Sequence, residues 1–171
     1  NESKHGIAFR AKIDEMNLDS PTWILGKDYS AAPTCSTCHM SATKDLPATH
    51  DPGKRISWTL RPEISKKQEN AEEKRSAMKS VCQNCHGPDF IEAFYKQYDQ
   101  SVDLYNEKFA KPAKKIMEAL TAAGKITPDP FDAPIKFVYY ELWHHEGRRA
   151  RMGASMQGPD YTQWHGFYEV A

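Results

Sequence analysis

The sequence predicts a mainly α-helical protein with long helices in its C-terminal half. Hydrophobic residues recur at spacings of three and four from Asp89 to Leu120, and again from Ile135 to Met156, as on one face of a helix. Only 39% of the residues are hydrophobic, and the mean hydropathy is −0.75. That content is low for a core built from side chains alone, so we expect the core to need additional apolar material.

Two pentapeptides supply the main functional signal. Residues 35–39 read C-S-T-C-H and residues 82–86 read C-Q-N-C-H. This C-x-x-C-H pattern is typical of c-type haem attachment, in which two thiols bond to the vinyl groups and the imidazole ligates the iron. The motifs predict two covalently attached haems that fill the core, bound by Cys35, Cys38, His39, Cys82, Cys85 and His86.

Two other uses of the cysteines are open at this point. The chain has four cysteines, all in these motifs, and two C-x-x-C pairs also suit a structural zinc site or disulfides. Haem is favoured because a histidine follows the second cysteine of both pairs, although the chain has only seven histidines in 171 residues.

Charge and hydropathy exclude several classes of protein. Lysine plus arginine equals aspartate plus glutamate at 23 each, and the sequence pI is about 7.2, so no strong field favours nucleic acid or an anionic membrane. No apolar run is long enough for a transmembrane helix. Haem attachment to a c-type cytochrome requires export, so we expect a periplasmic or equivalent location. Because the chain begins at Asn1 without a leader, we expect a mature chain or, preferably, a fragment.

We expect residues 1–88 to form a haem-binding segment. A short amphipathic helix is predicted from Ile7 to Leu18, and irregular chain follows it to the first motif. Proline and glycine favour loops from Met40 to Pro62. The charged stretch from Glu63 to Val81 is predicted to be a solvated helix that leads into the second motif.

Residues 89–171 are predicted to form a long-helix region. One helix runs from Asp89, is kinked by Pro112 and ends at Gly124. Prolines make residues 125–134 a stiff loop, and a further helix follows to Met156. Small residues let another helix or a macrocycle approach that helix closely, namely Gly147, Ala150, Gly153 and Ala154. The aromatic tail after Gly158 is expected to dock on another surface.

Five histidines lie outside the motifs, more than two haems need as distal ligands. His50 precedes a turn and is a leading candidate, with Met40 as an alternative soft ligand. His145 is preferred to His144 because it shares the face of Leu142, and adjacent helical residues point about 100° apart. His5 and His165 are candidate ligands for haems held by the part of the protein that lies outside this chain. The surplus indicates that some of them ligate haems held by polypeptide outside this chain.

Several segments together resemble the C-terminal third of octahaem hydroxylamine oxidoreductases. The similar stretches are 3–6, 32–42, 49–51, 55–58, 143–149, 158–161 and 164–166. The last thirty residues, with Trp143-His144-His145-Glu146-Gly147 and Gly158-Pro159-Asp160-Tyr161, are the specific part. The resemblance implies a mainly helical trimer in which each subunit carries eight c-type haems.

The resemblance also implies an activity in nitrogen metabolism. One haem of the family, the P460 catalytic haem, is cross-linked to a tyrosine of the neighbouring subunit, and Tyr161 matches that tyrosine by motif. The parent enzyme is then expected to oxidise hydroxylamine or hydrazine, while the haems bound here relay electrons towards a redox partner cytochrome. The attachment motif of the catalytic haem is absent from this chain. The alternatives are a non-catalytic dihaem electron-transfer cytochrome c and a structural zinc domain.

Overall fold

The computed structural model describes residues 5–6, 33–44 and 46–171. These residues are mainly helical and form no regular β-strand, which confirms the predicted fold class. None of their helices is long and apolar enough to cross a bilayer. The chain divides into two compact units, Asn1–Ser57 with Lys67–Ala93 and Trp58–Lys66 with Phe94–Ala171. The helix predicted around Ile7 to Leu18, and the irregular chain from Trp23 to Ala32, lie outside the described residues.

The first unit contains the two cysteine motifs. Its helices are α1 (Cys35–Met40), a 3-10 turn (Pro52–Arg55), α2 (Ala71–Cys82) and the beginning of α3 (Pro88–Tyr105). Its buried described residues are as much polar as apolar, namely Ala71, Val81 and Ile91 beside Arg55, Ser57 and Arg75. This composition agrees with the expectation that the core is not built from apolar side chains alone.

The second unit is built from three longer helical stretches, each of which includes a π-helical segment. The first stretch consists of the end of α3, the π-helical segment Asn106–Ala110 and α4 (Lys111–Ala122). The second consists of α5 (Pro134–Tyr140), the π-helical segment Glu141–Glu146 and α6 (Gly147–Ser155). The third consists of α7 (Pro159–Thr162), the π-helical segment Gln163–Phe167 and α8 (Tyr168–Val170).

The first of these stretches passes through Pro112 without ending. Proline has no N–H group, and its ring crowds the carbonyl group four residues earlier. The π-helical segment Asn106–Ala110 ends two residues before Pro112. The helix ends at Ala122, and Gly124 adopts a left-handed φ of 63°. The predicted end of the helix at this glycine is therefore confirmed.

The predicted hydrophobic stripe is buried only in its middle part. Tyr98, Val102 and Tyr105 are buried, and Tyr105 joins Ala110 and Val170 in an apolar cluster. Phe90 and Ile116, at the two ends of the stripe, are 51% and 57% exposed. The prediction of a buried stripe was therefore wrong for these two residues.

The helix predicted from Glu63 begins only at Ala71. Ser65 instead exchanges two hydrogen bonds with the side chain of Asn106, each 2.9 Å long. The buried Arg151 guanidinium also donates to the Pro62 carbonyl at 2.9 Å and to the Ser65 hydroxyl. These tertiary contacts satisfy the backbone of the segment before α2 and outweigh its local helical preference.

The C-terminal tail is helical and packs on α6 of its own chain. A Cβ added at Gly153 would lie 2.6 Å from the Thr162 nitrogen, and one added at Gly166 would lie 2.6 Å from the Ala150 Cα. Glycine is therefore needed at both contacts, and at Gly153 this agrees with the close approach expected for the small residues of α6. The opposite face of the tail stays exposed at Tyr161, Trp164 and Tyr168.

Candidate haem-binding site

The first motif lies on the short helix α1. Thr34 caps this helix through a reciprocal pair of contacts with Thr37, which accounts for a helix of only six residues. Cys35 and Cys38 are one turn apart and therefore share a face. Both are free thiols, with Cys35 exposed and Cys38 partly buried.

Arg55 holds the C-terminal end of this helix. Its side chain is buried and donates to the carbonyl oxygen of Cys38 at 2.8 Å and to that of Ser41. Burial lowers the pKa of His39, and the Arg55 charge lowers it further. Both effects favour the neutral imidazole, which is the form that ligates a metal. The buried Nδ1 of His39 has no hydrogen-bond partner among the described residues.

The second motif begins at the last residue of α2. The backbone N–H groups of Cys85 and His86 donate to the Cys82 carbonyl at 3.1 Å and 2.9 Å, so a tight turn carries the motif. The ring of His86 stacks on Phe90, with centroids 4.5 Å apart. The ring of His5 lies edge-on to His86 at a centroid distance of 6.0 Å.

The two motifs lie beside each other within the first unit. Burial raises the pKa of the Cys38 thiol to about 11, with a further contribution from the nearby Cys82. Burial likewise raises the pKa of Cys82. All four cysteines are free, and no group of three or more cysteine, histidine or acidic side chains among the described residues could hold a metal ion.

The donor set fits covalently attached haem. Each motif offers two unbonded thiols and an adjacent imidazole, the groups that form the thioethers and ligate the iron. The buried residues around them include few apolar side chains, which is consistent with a core completed by a macrocycle. When bound, haem would supply one-electron redox chemistry at His39 and His86.

The remaining candidate ligands are placed as follows. His50 is exposed in a turn in which Asp51 accepts a hydrogen bond from the Gly53 N–H at 2.9 Å. The ring of His144 stacks on that of Tyr140 with centroids 4.2 Å apart, and its buried Nδ1 has no hydrogen-bond partner in the part of the chain that the structure describes. His145 lies 3.7 Å from a carboxylate oxygen of Glu141. Their assignment to particular irons stays a prediction.

Tyr161 and His165 lie together on the outer face of the tail. Their ring centroids are 5.9 Å apart, and Tyr161 is 40% exposed. His165 also lies 3.4 Å from Asp160 and 3.5 Å from Glu169. The phenol is therefore directed away from the chain's own core, while Thr162, the next residue, is buried.

The candidate-site prediction missed Arg55. Its sequence neighbourhood, Asp51-Pro52-Gly53-Lys54, indicates a solvated turn, and arginine is rarely buried. Nothing local indicates that its side chain contacts α1, because Cys38 and Ser41 lie 17 and 14 positions before Arg55 in the sequence.

Comparison with solved structures shows the same fold in multihaem proteins. A chain titled "Hypothetical multiheme protein" superposes with a TM-score of 0.82 at 19% identity, over 99% of this chain and 48% of that one. A reducing HAO-like protein complex from Kuenenia stuttgartiensis gives a TM-score of 0.75 at 20% identity, over 99% and 49%. This chain thus spans about half the length of either structure. No curated protein matches it.

Residues 1–134, which include both motifs, match a family of multihaem cytochromes. The match covers most of the chain and the whole of its first unit, although it stops before α6 and the tail. Together with the four free cysteines and the histidine that follows each pair, His39 or His86, this match supports covalently attached haem c as the cofactor. The chain belongs to the family described as "Seven times multi-haem cytochrome CxxCH".

Proposed function

We propose that this chain is part of a multihaem oxidoreductase that oxidises hydroxylamine or hydrazine. In this proposal Tyr161 is cross-linked to a P460-type haem held by a neighbouring subunit of a homotrimer. The motifs at His39 and His86 bind haems that relay the electrons onward to a redox partner cytochrome in the periplasm. The observation that carries the proposal is the position of Tyr161 on the exposed face of a tail that is anchored on its other face.

The anchoring of the tail supports a docking role for that exposed face. Gly166 of the tail packs closely against Ala150 of α6, and Arg149 of α6 forms an ion pair with Glu169 of the tail at 3.2 Å. Trp164 and Tyr168 remain 63% and 71% exposed beside Tyr161. Large exposed aromatic side chains of this kind are typical of protein interfaces.

The distances around the second motif support His5 as the distal ligand of the haem attached there. Its ring is close enough to His86 for both imidazoles to reach one iron, given metal–nitrogen bonds of roughly 2 Å. Two imidazole ligands saturate an iron, so such a haem transfers electrons but does not bind substrate. His50, His144, His145 and His165 stay candidate ligands for other irons.

Mass spectrometry of the mature assembly tests the proposed cross-link. We expect the peptide that contains Tyr161 to carry the additional mass of a haem peptide, and the Tyr161→Phe variant to lack it. Tyr168→Phe is the matched control, because it removes an exposed phenol from the same tail. An unmodified Tyr161 peptide from the active, fully matured protein would refute the cross-link.

A reductive function is the second candidate. One of the two similar structures is titled a reducing HAO-like complex, although its identity to this chain is only 20%. Assays in both directions, with hydroxylamine as electron donor and with nitrite and a chemical reductant, separate the candidates. Oxidation that is lost in Tyr161→Phe supports our proposal. Reduction alone favours the second candidate, and activity in neither direction favours a non-catalytic dihaem cytochrome.

A further inference from the structure

We propose that the positive charge of Arg55 raises the reduction potential of the haem attached through Cys35 and Cys38. The inference rests on haem attachment at this motif, which is one component of the proposed function. It concerns the tuning of one relay site and holds for either direction of catalysis.

The geometry fixes a positive charge at the C-terminal end of α1, the end that carries His39. The two donors of the guanidinium reach the carbonyl oxygens of Cys38 and Ser41, so its contacts lie on either side of His39 in sequence. Arg55 itself is only 4% exposed. Two hydrogen bonds from one planar group leave it little freedom to turn away.

Among the residues that the structure describes, no carboxylate neutralises this charge. Arg55 forms no ion pair with any of them, and its hydrogen-bond partners are the two carbonyl oxygens. Water screens an exposed charge strongly but a buried charge much less. A fixed positive charge beside an iron stabilises the ferrous state, which carries one positive charge fewer than the ferric state, and so raises the potential.

The second motif is built differently. The Cys82 carbonyl accepts hydrogen bonds from the backbone N–H groups of Cys85 and His86. The His86 ring packs on the apolar ring of Phe90. Lys79, in the last turn of α2, forms an ion pair with Glu92. We therefore expect Arg55 to act selectively on the haem at the first motif.

An equilibrium redox titration of the holoprotein, followed by visible absorption, tests the proposal. The main variant is Arg55→Gln, because glutamine removes the charge but keeps an amide that can donate to the same carbonyls. Arg55→Lys keeps the charge. Lys54→Gln is the matched control, because it removes the same charge from the adjacent, exposed position.

In Arg55→Gln we expect one haem to shift to lower potential. The expected size is a roughly tenfold rise in the ferric to ferrous ratio at fixed potential, equivalent to about 59 mV for one electron. Arg55→Lys should keep most of the wild-type potential, and Lys54→Gln should change it little. Potentials in Arg55→Gln equal to those of Lys54→Gln would overturn the proposal. If Arg55→Gln does not acquire its haems, Arg55→Lys tests the proposal instead. A reduction potential in Arg55→Lys that falls well below that of Lys54→Gln would refute the role of the charge.

Failure of the proposed function gives a different result. A preparation without haem absorption has no potential to titrate and refutes attachment itself. A haem-loaded protein without hydroxylamine or hydrazine oxidation refutes the proposed activity but leaves the titration valid. Haem content, measured from the intact mass of each variant, ensures that a shifted potential is not caused by a lost cofactor.

Discussion

The imidazole ring of His5 lies edge-on to the ring of His86, with their centroids 6.0 Å apart. The two residues are separated by most of the first unit in sequence. Burial lowers the pKa of His5, and the neighbouring His86 lowers it further. Both effects keep the imidazole neutral near pH 7, as an axial ligand requires.

Replacement of His5 by alanine should convert one haem from low spin to high spin. In the proposed coordination, loss of the His5 imidazole opens a coordination position, so carbon monoxide should bind to that haem in the reduced protein. Visible and electron paramagnetic resonance spectra check both effects. His50→Ala is the informative comparison, because the sequence makes His50 a leading distal ligand whereas the structure places it on an exposed turn. Unchanged spectra in His5→Ala would contradict its assignment.

Substitution of Gly153 by alanine should destabilise the protein although alanine favours helices. The added Cβ would lie 2.6 Å from the Thr162 nitrogen and 3.0 Å from the Gly158 carbonyl oxygen, so the backbone of the tail must shift. We expect a loss of about 1–3 kcal/mol from this overpacking. It should exceed the roughly 1 kcal/mol that alanine contributes through helix propensity.

Denaturant unfolding measures that loss, and Met152→Ala provides the control at the adjacent, exposed position. If Tyr161 is cross-linked to haem as proposed, the displaced tail should also lower the fraction of Tyr161 that carries the cross-link. A stabilised Gly153→Ala variant would show that the contact between α6 and the tail is looser than the structure indicates.

The features that the sequence predicts well depend only on residues that are close together in the chain. The cysteine motifs need only five adjacent residues each, and the long helices are visible in a spacing of three and four. The contacts that could not be predicted join distant residues. Ser65 and Asn106 are 41 positions apart, and their pairing replaces a predicted helical turn. Arg55 likewise acts across a loop, where its charge alone indicates a solvated side chain.

The tail also shows that the sequence does not reveal contacts between distant residues. Its aromatic residues predict docking, but the sequence does not distinguish a neighbouring subunit from the chain's own helix. The structure places one face on α6 through Gly153 and Gly166. The exposed face, with Tyr161, is the part for which a neighbouring subunit is still proposed. A single amphipathic segment thus serves both as intramolecular packing and as a candidate interface.

The buried phenol of Tyr105 should make stability fall at alkaline pH. Tyr105 is fully buried, and its hydroxyl donates to the Glu63 carbonyl at 3.0 Å. Burial raises its pKa, while the nearby Arg151 charge acts in the opposite direction. An unfolded tyrosine loses its proton near pH 10. Above that pH the folded state therefore binds more protons than the unfolded state, and stability falls by up to roughly 1.4 kcal/mol per pH unit from this group.

Denaturant unfolding from about pH 9 to about pH 11 checks this prediction through the slope of the unfolding free energy. Tyr105→Phe should be less stable by about 1 kcal/mol at neutral pH, because it loses one hydrogen bond, but its stability should fall less steeply above pH 10. Tyr168→Phe, at a position that is 71% exposed, should retain the wild-type slope. Equal slopes in wild type and Tyr105→Phe would show that the phenol ionises without unfolding the core, since only a difference in protons bound by the two states makes stability depend on pH.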